Sequence, residues 1–272
     1  MDRENIVNKL VAGVYTNSDK YMARFTENWQ EYYENLPLIY NVCDGKINEN
    51  MERLRHKFIE SGKRYWLFMD DDILFNNNQV IEIALSYMIE KDLALCSVYE
   101  TGDKKIWKKF DYTELSGELI SWSAGYFMLV DSEKVGLLPF DLFLPTEKGS
   151  LSDIEYCMNI IVNNGLIGIA PALIYHQSNG YSPKIKNPFQ ITKDNEEEVN
   201  KSVKIFLKNL DKKYLYGMPS IEIVFLDDGK IDINETIGHQ YLKWKYPDRH
   251  NEVLARPHYK LTEKRKTFIN QI

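Results

Sequence analysis

The feature that most constrains this chain is the stretch Arg64-Tyr-Trp-Leu-Phe-Met-Asp-Asp-Asp-Ile-Leu-Phe75, in which an unbroken apolar run, Tyr65 to Met69, drives into Asp70, Asp71 and Asp72. Such a run suits a strand buried on both faces of a parallel sheet. Acids directly after it cannot be core, because a buried unpaired carboxylate is strongly destabilising. They belong at the strand's carboxyl end, the rim where open α/β sheets place ligands. If the chain stays extended, Asp70 and Asp72 point to one side and Asp71 to the other. Two carboxylates on one side make half a cage for a divalent cation, with substrate oxygens filling the rest. An inert, solvated turn is the competing reading, and three acids at this kind of edge favour the cation.

The flanking sequence supplies the sheet that such a strand requires. Val11–Tyr15 reads as a first strand, and residues from about Asp19 to Asn35 carry Tyr21, Phe25, Trp29 and Tyr32 at helical spacing. Leu38–Cys43 reads as a second strand ending at Asp44. A helix over Ile47–Ser61 turns Met51, Leu54, Phe58 and Ile59 inward and stops at Gly62. After the acids, Val80, Ile83, Ala84, Tyr87 and Met88 mark another amphipathic helix, and Leu93–Tyr99 another strand. Strands alternating with helices of this length predict βαβ units and a mainly parallel sheet. Thr16-Asn17, Asp44 and Asp70–Asp72 then lie at one sheet edge by topology alone, which is stronger evidence than any single motif.

Beyond this, residues 101–120 read as a β-excursion or loop, and Ala124–Val130 as a strand. Ser152-Asp-Ile-Glu155 has the capping-box pattern and opens a helix that buries Ile154, Met158 and Ile161. Leu166–Ala170 and Ala172–Tyr175 read as two short strands, the second delivering His176 into a polar loop. Composition shifts near Pro183, dividing the chain into 1–183 and an appendage, 184–272. The appendage is expected to hold a charged helix, Lys193–Leu210, and a hairpin pairing Ile221–Leu226 with Lys230–Ile233 around Asp227-Asp-Gly229. Its aromatic, basic tail reads first as a solvated helix packed by aromatics, with membrane-surface or homo-oligomer contact as the alternatives.

Composition limits the function. At 272 residues and 44% hydrophobic, the chain can bury a sizeable core. A net charge of -6 and a pI near 5.5 argue against a nucleic-acid surface. Cys43, Cys96 and Cys157 lie far apart with no metal or disulfide spacing, as expected of reduced thiols in a cytoplasmic protein. The start, Met-Asp-Arg-Glu-Asn, lacks a signal-peptide pattern, and no apolar stretch approaches membrane-spanning length.

Three segments in order resemble the GT-A fold of nucleotide-sugar glycosyltransferases, specifically the inverting family 2 group. Leu67–Ile73 resembles that family's metal-binding Asp-x-Asp strand end. Ser152-Asp-Ile-Glu-Tyr-Cys157 resembles its Glu-Asp-x-Asp-hydrophobic-Cys helix start, with Ser152 and Glu155 as departures from the outer acids. Ala170–His176 resembles its Pro-to-His strand. The resemblance spans about residues 10–180 and implies a transferase moving a sugar from a nucleotide-diphosphate donor, a UDP-sugar first, to a glycan or glycoconjugate hydroxyl. It implies that Asp70 contacts the ribose, that Asp72 coordinates Mn²⁺ or Mg²⁺, and that His176 is a further metal or phosphate ligand. It further implies Asn17, Asp44, Arg53 and Asp71 as nucleotide-sugar contacts and Asp153 as the general base. For Asp153 and His176 the plain alternatives are a favourable first-turn helix acid and a strand-end histidine bonded to backbone. A nucleotidyltransferase-like enzyme and a non-catalytic sugar- or partner-binding relative are the competing functions. The first lacks the Lys/Arg- and Gly-rich loop it would need after the first strand.

Overall fold

The computed structural model describes residues 8–16, 19–42, 44–102, 107, 115–142, 152–177, 220–225, 233–255 and 265–270. Cys43, much of the 101–120 stretch and the expected helix Lys193–Leu210 lie outside them. The chain divides into two compact units: Met1–Leu142 with Lys148–Gly180, and Phe143–Glu147 with Tyr181–Ile272.

In the first unit the elements run β1 (Leu10–Thr16), α1 (Asp19–Tyr33), β2 (Leu38–Val42), α2 (Ile47–Ser61), β3 (Tyr65–Asp70), β4 (Ile73–Leu74) and α3 (Val80–Glu90). They continue as β5 (Leu95–Thr101), β6 (Glu118–Leu119), β7 (Phe127–Asp131), the single turn α4 (Ser132–Val135), α5 (Ser152–Val162) and β8 (Ile167–His176). The result is an α/β fold: an 8-stranded sheet in the order β2-β1-β3-β7-β5-β8-β4, with β6 on β8. β1, β2, β3, β5 and β8 point one way. β7 runs against both β3 and β5, so the sheet is mixed but mainly parallel, in line with the expectation from the alternating strands and helices.

Alternation along β1 and β3 explains why both faces are covered. Leu10, Ala12, Val14, Leu67 and Met69 enter one core with Phe25 and Trp29 of α1 and Val80, Ala84 and Met88 of α3. Phe68 faces the other way, edge-on to Phe58 of α2 at 4.8 Å and to Phe140 at 5.5 Å. Phe140 in turn stacks on Tyr156 of α5 at 4.2 Å. α2 stops at Gly62, whose φ of 66° is the left-handed conformation a C-terminal glycine supplies cheaply.

Two expectations near the site change. The Leu166–Ala170 and Ala172–Tyr175 segments form one strand, β8; Pro171 and Ala172 are absorbed as an irregularity in its ladder with β5. Proline has no N–H to give the ladder, so it sits where the pairing slips. Ser152, expected as the N-cap, is the first residue of α5, and its hydroxyl donates to Met51 Sδ at 3.2 Å.

In the second unit, β9 (Ser220–Phe225) pairs antiparallel with β10 (Arg265–Asn270). Of the expected hairpin's second arm only Ile233 is described, as the first residue of α6 (Ile233–Lys245); its turn and Lys230–Asp232 lie outside the described residues. α6 is followed by α7 (His250–Leu254), and Ile237, Tyr241, Leu242 and Val253 are buried with His239 and His250. The tail's aromatics therefore pack inward in part. Among the described residues, no helix is long and apolar enough to cross a membrane.

Gly13 of β1 reports how closely α2 sits. A Cβ there would come within 2.5 Å of Leu54 Cδ1 and 2.6 Å of Phe58 Cζ, both fully buried. Gly13→Ala is expected to destabilise the protein by about 1–3 kcal/mol through overpacking, read as a lower urea midpoint; an unchanged midpoint would mean α2 is free to shift.

Candidate functional site

β3 runs parallel to β1, with Tyr15 opposite Asp70, and β1 runs parallel to β2, with Thr16 opposite Val42. Their carboxyl ends form one rim. β3 ends at Asp70, and Asp71-Asp72 is a turn into β4 rather than an extended continuation. β4 then pairs with the end of β8, Ile73 opposite His176, and the Gln177 N–H donates to the Asp72 carbonyl at 2.7 Å. Pairing between β4 and β8 thus carries His176 to the acids, across about a hundred residues of sequence.

Ligand atoms of Asp70, Asp72 and His176 all lie within 4.8 Å of one another. His176 Nε2 is 3.1 Å from Asp72 Oδ1, and its Nδ1 meets the Glu100 carboxylate. Burial works against a charged ring, but the bonds to Asp72 and then Glu100 outweigh it and raise the His176 pKa to about 10. Asp70 moves the other way in charge: burial, then the neighbouring Asp72, push its carboxyl up to about 7, while a bond from Tyr15 partly opposes this. Asp71 turns aside, and its carboxylate accepts from Thr16 Oγ1. So the three acids coexist because each meets a different partner.

The donor set suits a hard divalent cation. Among the described residues, the buried Asp70 Oδ1 has no hydrogen-bond partner, and it lies beside a second carboxylate and an imidazole nitrogen. Oxygen-rich sites with one imidazole fit such ions. Asp70, Asp72 and His176 therefore could hold a metal.

Asp153 lies in the first turn of α5. Its Oδ2 accepts the Gly125 N–H and its Oδ1 the Ile154 N–H, both at 2.9 Å. A Cβ at Gly125 would sit 3.0 Å from Tyr15 Oη and 3.7 Å from Asp153 Oδ2, so glycine keeps this approach open. Burial raises the Asp153 pKa, against the backbone bonds from Ile154, Gly125 and its own N–H that lower it. The burial effect outweighs the stabilisation of the anion expected from the helix N-terminus. Asp153 also raises the Asp70 pKa by its charge, which puts the two acids at one site.

The remaining expected contacts are elsewhere or undescribed. Asp44 and Arg53 pair with each other at an exposed position, and Arg53 also meets Asn50. Asn17 lies outside the described residues. Glu100, Gly125 and Tyr126 were missed. Glu100-Thr101 follows the expected strand Leu93–Tyr99 as Asp44 follows the second, and that repeat of an acid after a strand was the available signal.

No family model matches the chain, and no curated protein matches its sequence. Solved structures do. The mannosyltransferase PcManGT from Pyrobaculum calidifontis, solved with GDP-Man and Mn²⁺, is 12% identical, with 93% of this chain and 78% of that one covered at a TM-score of 0.48. TarS 1-349 from S. aureus is 13% identical, covering 92% and 75% at 0.44. A197 from STIV is 10% identical, covering 62% and 85% at 0.45. A mannosyltransferase is thus among the structures this chain is similar to.

Mn²⁺ is expected to raise the thermal unfolding midpoint, by the equivalent of about 2.7 kcal/mol at a hundredfold excess over Kd. The shift should grow from pH 6 to pH 8, because a cation must displace protons held at Asp70 and His176, whose pKa values are raised to about 7 and about 10. Asp72→Asn should abolish it; an equal shift in that variant would remove Asp72 from the site.

Proposed function

We propose that this chain is a metal-dependent, inverting glycosyltransferase of the GT-A type, moving a sugar from a nucleotide-diphosphate donor to a hydroxyl acceptor. The observation that carries the reading is the gathering of Asp70, Asp72 and His176 ligand atoms within 4.8 Å at the carboxyl rim of a largely parallel sheet. The three ordered motifs around these residues support it.

Asp72 and His176 hold the cation, with Asp70 against it or against the donor ribose. The mixed oxygen and imidazole set puts Mn²⁺ ahead of Mg²⁺. When bound, the ion supplies charge neutralisation to a diphosphate leaving group. Asp153 is the proton acceptor: the acceptor oxygen attacks the anomeric carbon, the bond from that carbon to the diphosphate oxygen breaks, its electron pair leaves with the nucleoside diphosphate, and the hydroxyl proton passes to Asp153. Two backbone N–H groups hold the Asp153 carboxylate in one orientation, and burial raises its basicity. Both properties suit a general base. A single displacement of this kind inverts the anomeric centre.

Asp71, buried against Thr16, supports the donor side by fixing the end of β1, while Asn17, Asp44 and Arg53 are donor contacts proposed from position along the rim. The donor base, a uridine first, and the glycan or glycoconjugate acceptor follow from the same reading.

Asp153→Asn should leave nucleotide-sugar binding with Mn²⁺ within about twofold of wild type while lowering transfer by about 10²–10⁴-fold. Calorimetry for binding and product chromatography for transfer read the two separately. Undiminished turnover in the Asn variant would remove Asp153 from the base role.

A further inference from the structure

Glu100 is the acid at this rim that neither the ordered motifs nor the ligand cluster accounts for. It stands at the carboxyl end of β5, with a side chain 43% exposed, and its carboxylate meets His176 Nδ1. The opposite edge of the same ring puts Nε2 3.1 Å from Asp72 Oδ1. The two nitrogens of an imidazole point away from each other, so a carboxylate on Nδ1 cannot share a cation bound through Nε2. Accordingly, the cluster of ligand atoms within mutual reach comprises Asp70, Asp72 and His176, without Glu100.

Resting on the metal-dependent reading above, we propose that Glu100 is a positioning residue: by accepting a hydrogen bond from His176 Nδ1 it fixes the ring so that Nε2 faces the cation position beside Asp70 and Asp72.

The fold builds this contact deliberately. In the β5–β8 ladder Val98 faces Ala170, but Tyr99 faces Leu173, so Pro171 and Ala172 have no partners and Glu100 comes opposite Ile174. Had the ladder run on evenly, Glu100 would face Ala172, and His176 would lie two residues further along, roughly 6–7 Å at the usual rise. Because the excess is two residues and not one, the side-chain alternation is preserved and His176 keeps its face. His176 then becomes the diagonal neighbour of Glu100, within reach of a long side chain. The Tyr126 ring lies 5.4 Å from the imidazole, tilted by 43°, and is itself held by its hydroxyl donating to the Val98 carbonyl at 2.8 Å. One face and one edge of the ring are thereby fixed before any cation arrives. A carboxylate on Nδ1 selects the tautomer with its proton there, leaving the Nε2 lone pair for the metal and making it a better donor.

The test is Mn²⁺ titration of the full chain, followed by the paramagnetic resonance signal of the free ion. Glu100→Ala should weaken binding by about 10–100-fold, and Glu100→Gln, which keeps an acceptor for Nδ1–H, should recover part of that loss. The side chain stands at the surface rather than in the core, so neither variant opens a core cavity. Nitrogen NMR of wild-type protein with labelled histidine and diamagnetic Cd²⁺ gives a readout that needs no variant: His176 should be ligated through Nε2 with Nδ1 protonated. Mn²⁺ affinity in Glu100→Ala within twofold of wild type, or ligation through Nδ1, overturns the proposal while leaving the metal reading intact. Absence of Mn²⁺ binding by wild type instead overturns the metal reading, and the part given to Glu100 with it.

Discussion

Three adjacent carboxylates at the end of a fully buried strand are the constraint on which the rest of the first unit depends. Left together in a low-dielectric setting they would repel one another and lack solvation. The fold resolves this by sending each to a different partner: Asp71 to the Thr16 hydroxyl, Asp72 to the His176 ring, and Asp70 to Tyr15 with its pKa raised to about 7. The turn at Asp71-Asp72 makes this separation geometrically available, since an extended strand would have aligned Asp70 and Asp72 without bringing a strand back beside them.

The solution couples distant parts of the chain. β4 exists only as a short edge on β8, yet that pairing sets Ile73 opposite His176 and closes the site. Gly125 and Tyr126 lead into β7, which is inserted antiparallel between β3 and β5; the Asp70 N–H donates to the Tyr126 carbonyl at 3.3 Å, and the Gly125 N–H donates to Asp153. One short segment thus reaches Asp70 and Asp153 together. The electrostatics of the two sides are likewise joined: Asp72 and Asp153 both raise Asp70. A divalent cation would relieve the repulsion between the Asp70 and Asp72 carboxylates.

Much of the first unit was legible in local patterning. The helices of α1, α2 and α3 follow from apolar residues at helical spacing, and the run Tyr65–Met69 followed by acids marks a buried strand and its end. Parallel pairing of β1, β2 and β3 follows from strands separated by helices. The direction of β7, the continuity of β8 through Pro171, and the partner of β9 were not legible, because each is decided by which edge is free when the strand arrives. The rim position of Glu100 was legible as an acid following a strand, but its contact with His176 depends on a register slip in β8, which no reading of residues 93–101 alone can contain.

By itself, then, the sequence determined the sheet-and-helix alternation and the rim at which Asp70, Asp71 and Asp72 emerge, since hydrophobic periodicity and the penalty on buried charge act residue by residue. Only the tertiary structure decided which acids share a centre, that His176 reaches them through β4, and that Glu100 stands behind the ring. Those outcomes hang on strand order and register, which are properties of pairs of segments and not of either segment alone.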